Sequence, residues 1–196
     1  MTLNAHPLLI FVGSRRAGRH LHLDRLLTSH PDVFAPVRTI TTRSQELPGD
    51  DVWFDRMPSQ RVSRFNTNQM LTHFSEGKSL FFIMRSRVRE VCDAGYTPLV
   101  GMTPLGLERL ESRPDTVREF PLRTVFLQPA DPQEFCERLV REGGLDQKTA
   151  EDETQRAVRL STIPPSVKHT PSIVPISGTF NDVDLVDQAI ASIMPP

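Results

Sequence analysis

Short apolar runs alternate with longer amphipathic stretches along the chain, the pattern of β-α units laid on a mainly parallel sheet. Leu8 to Val12 is continuously apolar, as a strand buried on both faces must be, and Gly13 to Gly18 ends it. His20 to Leu27 carries leucines at 21, 23, 26 and 27, which predicts a helix. A polar middle follows from Arg38 to about Asn68, with a short strand expected at Thr39 to Thr42 and a turn at Pro48, Gly49 and Asp50. This middle reads as a small inserted lobe. Beyond it the pattern predicts a helix over Arg85 to Ala94, a strand over Thr97 to Met102, a short helix over Leu105 to Leu110, a strand over Thr124 to Leu127 and a helix over Pro132 to Arg141. From Leu145 to Leu160 acids and bases intermix with few large apolar residues, so a solvated helix is expected. A proline-rich loop spans Ile163 to Pro171, a last strand Ser172 to Ile176, and a closing helix Asp182 to Met194. Pro175 places that last strand at a sheet edge or strand end, because proline cannot donate to a ladder.

Composition narrows the class. With 196 residues, 38% of them hydrophobic and 24% charged, the chain fits one domain spanning 1–196. The 23 basic and 24 acidic residues leave a net charge of -1, which provides no long-range attraction to nucleic acid or an anionic membrane. The longest apolar run is too short to span a bilayer, and the N-terminus lacks the long apolar region of a signal peptide. Cys92 and Cys136 lie far apart with no Cys or His at ligand spacing, so neither a disulfide framework nor zinc is expected and both read as small hydrophobes. A reduced, cytoplasmic compartment follows, with an organellar address left open.

The stretch Gly13-Ser14-Arg15-Arg16-Ala17-Gly18-Arg19-His20 has the spacing G-x-x-x-x-G between a buried strand and a helix, where phosphate-cradling loops sit. In such loops a lysine and then a Ser or Thr follow the second glycine, the lysine on phosphate oxygens and the hydroxyl on magnesium. Here those positions are Arg19 and His20. The wide planar guanidinium cannot occupy an ammonium's place without rearrangement, and imidazole is a poor magnesium ligand. Two readings remain: an anion site built from the helix N-terminus with Arg15, Arg16 and Arg19, or a solvated basic loop. His20 and His22, two apart on a helix, point away from each other and do not make a metal pair.

Ile40-Thr41-Thr42-Arg43, then Pro48-Gly49-Asp50 and the aromatic pair Trp53-Phe54, resembles the Thr-Thr-Arg motif, Gly-Glu turn and Tyr-x-Phe of the GMP-binding lobe of guanylate kinases. The likeness runs from about Pro7 to the C-terminus, with Leu8 to Gly18 as the P-loop strand, Glu137 to Gly143 as the Arg-Leu helix entering the lid, and Ile173 to Ile190 as the closing strand and helix. The nearest variant is the guanylate-kinase domain of leucine-rich-repeat guanylate-kinase proteins. The resemblance implies a P-loop nucleotide kinase fold with a GMP-binding-like lobe at about 38–84 and a lid-like segment at about 141–160. It also implies that Arg43 grips phosphate and that Thr39 replaces a serine of similar duty. A second phosphate-gripping arginine falls near Gln45 or Glu46, the base-reading Glu aligns with Thr72, the phosphate-binding Tyr with Phe81, the acidic motif with Gly101-Met102-Thr103, and the lid arginines with Arg141 or Arg156. Most of the ligand set is thus replaced by residues that cannot make the same contacts.

The reading that follows is a catalytically inactive guanylate-kinase-like domain without a cofactor. Its vestigial nucleotide or anion site comprises Gly13, Arg15, Arg16, Gly18, Arg19, Thr39, Arg43 and Trp53. Trp53 either stacks a base, anchors a partner or packs within its own lobe. The expected partners are proteins, a phosphorylated or acidic segment or a multi-subunit assembly, in a cytoplasmic or cytoskeletal setting. The alternatives are a nucleotide-binding protein, a divergent nucleoside monophosphate kinase with altered metal use, and a purely structural subunit.

Overall fold

The computed structural model describes residues 6–14, 17–44, 49–76, 78–113, 115, 119–141, 144–161, 172–176 and 183–194. In chain order the elements are β1 (Leu8–Gly13), α1 (Arg19–Ser29), β2 (Phe34–Pro36), β3 (Thr39–Thr41), α2 (Asp50–Trp53), β4 (Phe54–Arg56), α3 (Ser59–Val62), a 3₁₀ turn (Thr67–Gln69), β5 (Met70–Glu76) and β6 (Ser79–Met84). They continue as α4 (Arg85–Asp93), β7 (Thr97–Met102), α5 (Pro104–Glu111), β8 (Leu122–Pro129), α6 (Pro132–Arg141), α7 (Gln147–Ser161), β9 (Ser172–Ile176) and α8 (Val183–Ile193).

The first sheet runs β2-β7-β1-β8-β9, and every pairing in it is parallel. β1 lies at its centre and all six of its residues are buried. Successive side chains point to opposite faces, so Leu8, Ile10 and Val12 enter one core with Val100, Met102, Leu110 and Leu122, while Leu9 and Phe11 enter the other with Leu23, Leu26, Val125 and Leu127. β9 is the edge strand, which accommodates Pro175, paired in register with Gln128. The proline-rich segment 163–171 lies outside the described residues.

The polar middle contains more strand than its composition suggests. Its second sheet runs β4-β3-β6-β5, with β3 and β4 parallel and the other pairs antiparallel. One face carries Phe74, Phe81 and Ile83 into the main core; the other gathers Ile40, Val62, Met70, Phe82 and Met84 into a core of the lobe's own. Both chain crossings into this lobe are tied to one carboxylate. Asp55 on β4 accepts from Arg38 at 2.6 Å and from Arg87, which also donates to the Arg38 carbonyl at 3.1 Å. Burial alone raises the Asp55 pKa, but the hydrogen bonds from Arg87 and Arg38 outweigh it and hold the carboxyl below its ordinary value.

α5 lies along the free edge of β5. Arg109 donates to the His73 carbonyl at 3.2 Å, Arg113 to the carbonyls of Met70 at 2.7 Å and Thr67 at 3.1 Å, and Gly106 O accepts from Thr72 at 3.0 Å. Only glycine allows this approach, since a Cβ at Gly106 would stand 2.8 Å from Phe74 Cδ1. α7 is not wholly solvated as its composition suggests. Ala150, Thr154 and Ala157 form a buried stripe of small residues, and it is their size that lets α7 settle against α6.

Candidate functional site

The glycine loop leaves β1 at the carboxyl end of the parallel sheet, where α/β folds bind ligands. Gly13 leaves little room for a side chain, because a Cβ there would lie 3.0 Å from Ala17 Cβ and 3.3 Å from the Leu127 carbonyl. Gly18 adopts φ 81°, a left-handed conformation that favours glycine, and its carbonyl opens α1 by accepting from the His22 N–H at 3.2 Å. The Ala17 N–H donates to Ser14 O at 3.2 Å. Ser14 is buried, and its Oγ has no hydrogen-bond partner among the described residues. Arg15 and Arg16 lie outside the described residues.

Arg19 is 7% exposed, and its guanidinium donates to Glu76 at the end of β5. The cation at the phosphate-lysine position therefore already has a carboxylate. His20 sits between Trp53 and Phe54, ring centroids 5.7 and 5.3 Å away, with Nδ1 buried and unpartnered among the described residues. Burial first, then the Arg19 charge, pushes its pKa down to about 4, so the ring is neutral at pH 7. A neutral imidazole wedged between two aromatic rings does not fit magnesium, which prefers oxygen ligands in a near-ideal octahedron. His22 turns the other way, fully buried and stacked on Phe11 at 6.4 Å.

Arg43 follows the same pattern as Arg19. Its guanidinium donates to Asp50 Oδ1 and lies 5.0 Å from the centroid of Phe54, while Arg56 holds Asp50 Oδ2 at 2.9 Å. Asp50 is 7% exposed, so this carboxylate is neutralised inside the lobe by two arginines. Thr39 is buried with its hydroxyl 3.5 Å from the Val37 carbonyl. Trp53 is 3% exposed, and rather than packing within its lobe alone it joins the main core, its indole N–H donating to Asp24 of α1 at 2.5 Å.

Between the loop and the lobe, the rings of His20, Trp53, Phe54, Phe81 and Phe74 form a continuous series. Phe54 meets Phe81 edge-on at 5.7 Å, and Phe81 stacks on Phe74 at 5.2 Å and 7°. Thr72 and Phe81, at the positions of the base-reading Glu and phosphate-binding Tyr, are thus both engaged internally. At the position of the acidic motif, a Cβ on Gly101 would stand 3.0 Å from Leu23 Cδ1, and Thr103 caps α5 by accepting from the Gly106 N–H at 3.2 Å. Arg141 ends α6 exposed; the side chain of Arg156 and residues 45–46 lie outside the described residues. Among the described residues no group of three His, Cys, Asp or Glu side chains is placed to hold a metal, and no helix is long and apolar enough to cross a membrane. Sequence reasoning offers Asp50 or Asp51 as an ion-pair partner for Arg43, and the structure selects Asp50; it missed Glu76 and Asp24, the partners of Arg19 and Trp53. Only Asp50 carried a local signal, as an acid in the expected turn seven residues after Arg43.

Solved structures share this fold. The guanylate kinase from Anaplasma phagocytophilum aligns over 97% of this chain and 88% of its own, with a TM-score of 0.61 and 11% identity. The fold is guanylate-kinase-like. The SH3-kinase fragment of tight junction protein 3 in its apo form carries it as well, aligned over 98% of this chain with a TM-score of 0.51 and 11% identity, and this chain spans 59% of that fragment. No protein-family model matches the sequence, and no curated protein matches it. At such identity the guanylate-kinase-like likeness is one of fold, and the residues above decide the chemistry.

Proposed function

We propose that this chain is a non-catalytic guanylate-kinase-like module, a single domain with an inserted lobe and a lid-like segment, that serves protein interaction or assembly rather than phosphoryl transfer. One observation carries the reading: the two cations retained from the nucleotide site, Arg19 and Arg43, are both committed to internal carboxylates, Glu76 and Asp50, across a cleft filled with aromatic rings. Phosphoryl transfer relies on positioned cations and metal to neutralise developing charge, and each such contribution is on the order of 10²-fold or more in rate. The occurrence of the fold in a fragment of a tight junction protein supports use in assemblies, with a cytoplasmic or cytoskeletal setting.

A coupled assay with ATP, magnesium and GMP, dGMP or AMP as acceptor tests the reading. No turnover is expected; rates of about 1–100 s⁻¹, ordinary for kinases, would overturn it. A second reading, nucleotide binding without turnover, is favoured by the unpartnered hydroxyl of buried Ser14 in the loop. A ligand that binds only the folded state raises its melting temperature, so a thermal shift at millimolar nucleotide separates the two.

A further inference from the structure

The lobe is fastened to the rest of the fold at three places, each time by groups of its own chain. At its two crossings, Asp55 of β4 accepts from Arg38 and Arg87. Along β5, Arg109, Arg113 and the Gly106 carbonyl of α5 bond to residues 67–73. The third place is α1, and there two contacts arrive from different parts of the lobe. Glu76, at the end of β5, accepts from Arg19, and Trp53, at the end of α2, donates its indole N–H to Asp24 at 2.5 Å. Arg19 and Asp24 are separated by about 7.5 Å along the helix axis, at 1.5 Å per residue, so α1 is gripped at two separate points. His20, between them in sequence, meets the rings of Trp53 and Phe54, and Phe54 meets Phe81 of β6. Arg19 is 7% and Trp53 3% exposed, and both contacts are charge-assisted, so lifting the lobe from α1 breaks two strong bonds and wets an aromatic ring at once.

We infer that the lobe is a strap the protein closes on itself: Glu76 and Trp53 clamp it as one cooperative latch onto the start of α1, where the glycine loop ends, and the closure draws on no ligand. The Asp55 clasp and the α5 contacts fix the lobe's base, and the α1 latch shuts the side that borders the loop. The Glu76 carboxylate thereby acts as an internal occupant of Arg19, an autoinhibitory contact supplied from 57 residues away. The inference goes beyond the non-catalytic reading and does not depend on it, since a self-closed cleft is compatible with a silent site or an active one.

Trp53 is the only tryptophan of the chain, so its indole N–H gives a single NMR resonance that reports one end of the latch. Its exchange with solvent is measured on the full chain with no nucleotide added, beside the backbone amides of β1. The indole N–H is expected to exchange far more slowly than that of free tryptophan, yet faster than the β1 amides, because a strap opens without unfolding the sheet. Glu76→Gln, which alters the bond to Arg19 and not the one to Trp53, should speed indole exchange by about tenfold to a hundredfold, the weight of one charge-assisted bond when exchange runs through opening. Arg25→Gln removes the exposed Arg25–Asp187 pair between α1 and α8 and should leave indole exchange within about twofold. Indole exchange unchanged in Glu76→Gln would show two local contacts rather than one latch and overturn the inference. Three results on the parent chain would overturn it without any variant: an indole N–H exchanging as fast as free tryptophan, one exchanging only as slowly as the β1 amides, or protection gained only on adding ATP or GMP with magnesium.

Discussion

Glu76→Gln removes the charge that faces Arg19 while keeping the shape of the side chain. The pair is 7% and 17% exposed, so most of the guanidinium is out of water and its partner is close to it. Removing one member of a fully buried pair destabilises by about 3–5 kcal/mol because the other charge is left uncompensated. Partial access of water to Glu76, and the amide oxygen that glutamine retains, reduce this to about 2–3 kcal/mol. A chain of this size loses about 2–4 °C of Tm per kcal/mol, so differential scanning calorimetry should show a fall of about 4–12 °C. Replacing both partners, Arg19→Met with Glu76→Leu, should recover most of the loss, because apolar isosteres of a buried pair are often neutral. The single variant also frees a cation at the first turn of α1, so inorganic phosphate should raise its Tm more than that of the parent chain. An unchanged Tm in Glu76→Gln, together with additive effects in the double-mutant cycle, would refute the claim that Glu76 neutralises Arg19.

Lowering pH should destabilise the protein through His20. Its folded-state pKa of about 4 lies below the unfolded value of 6.5, so the unfolded chain binds more protons between these pH values and stability falls as pH drops through that window, by up to about 3 kcal/mol. Denaturant titrations at pH 7 and pH 4.5 on the parent and on His20→Phe should show the pH slope reduced in the variant. Gly106→Ala should lower Tm by several degrees, since its methyl would meet Phe74 at 2.8 Å and such overpacking typically costs about 1–3 kcal/mol. Arg43→Ala should lower Tm while leaving Asp50 still held by Arg56, a loss of about 1–2 kcal/mol measured by thermal melts. Arg19→Lys with His20→Thr should yield no turnover in the coupled assay, because Gly101 still supplies no carboxylate and Leu23 leaves no room for one.

The parallel sheet was readable at its centre because β1 and β7 are buried along almost their whole length and so carry no charged residue. Thr97–Met102 and Ser172–Ile176 fall where the pattern puts them. The lobe was not, because a strand of three residues such as Phe54–Arg56 is shorter than any reliable period, and the same brevity hid Phe34–Pro36 at the edge of the parallel sheet. β5 has one wetter face, and its Thr, His and Ser give it the composition of a loop. In the site, the loop glycines declared themselves through spacing, and Arg43 through its motif. The partner of Arg19 did not: Glu76 is 57 residues away, and no local pattern reports a carboxylate brought from so far, whereas Asp50, seven residues from Arg43, lay within reach of the motif. The ring series likewise joins residues from α1, α2 and three strands, so each aromatic looked like ordinary core material on its own.

The central position of β1 has a consequence for synthesis. Its neighbours β7 and β8 begin at residues 97 and 122, so this six-residue apolar strand has nothing to pair with on both sides until Leu122 has been synthesised. At about 5–20 residues per second that interval is about 6–23 s. The lobe needs no such wait, since β5 and β6 are joined by a tight hairpin and can form while the sheet is still incomplete. A nascent chain of this protein therefore carries a formed lobe and a bare apolar segment at once, and is a natural client for chaperones that shield exposed strands during translation.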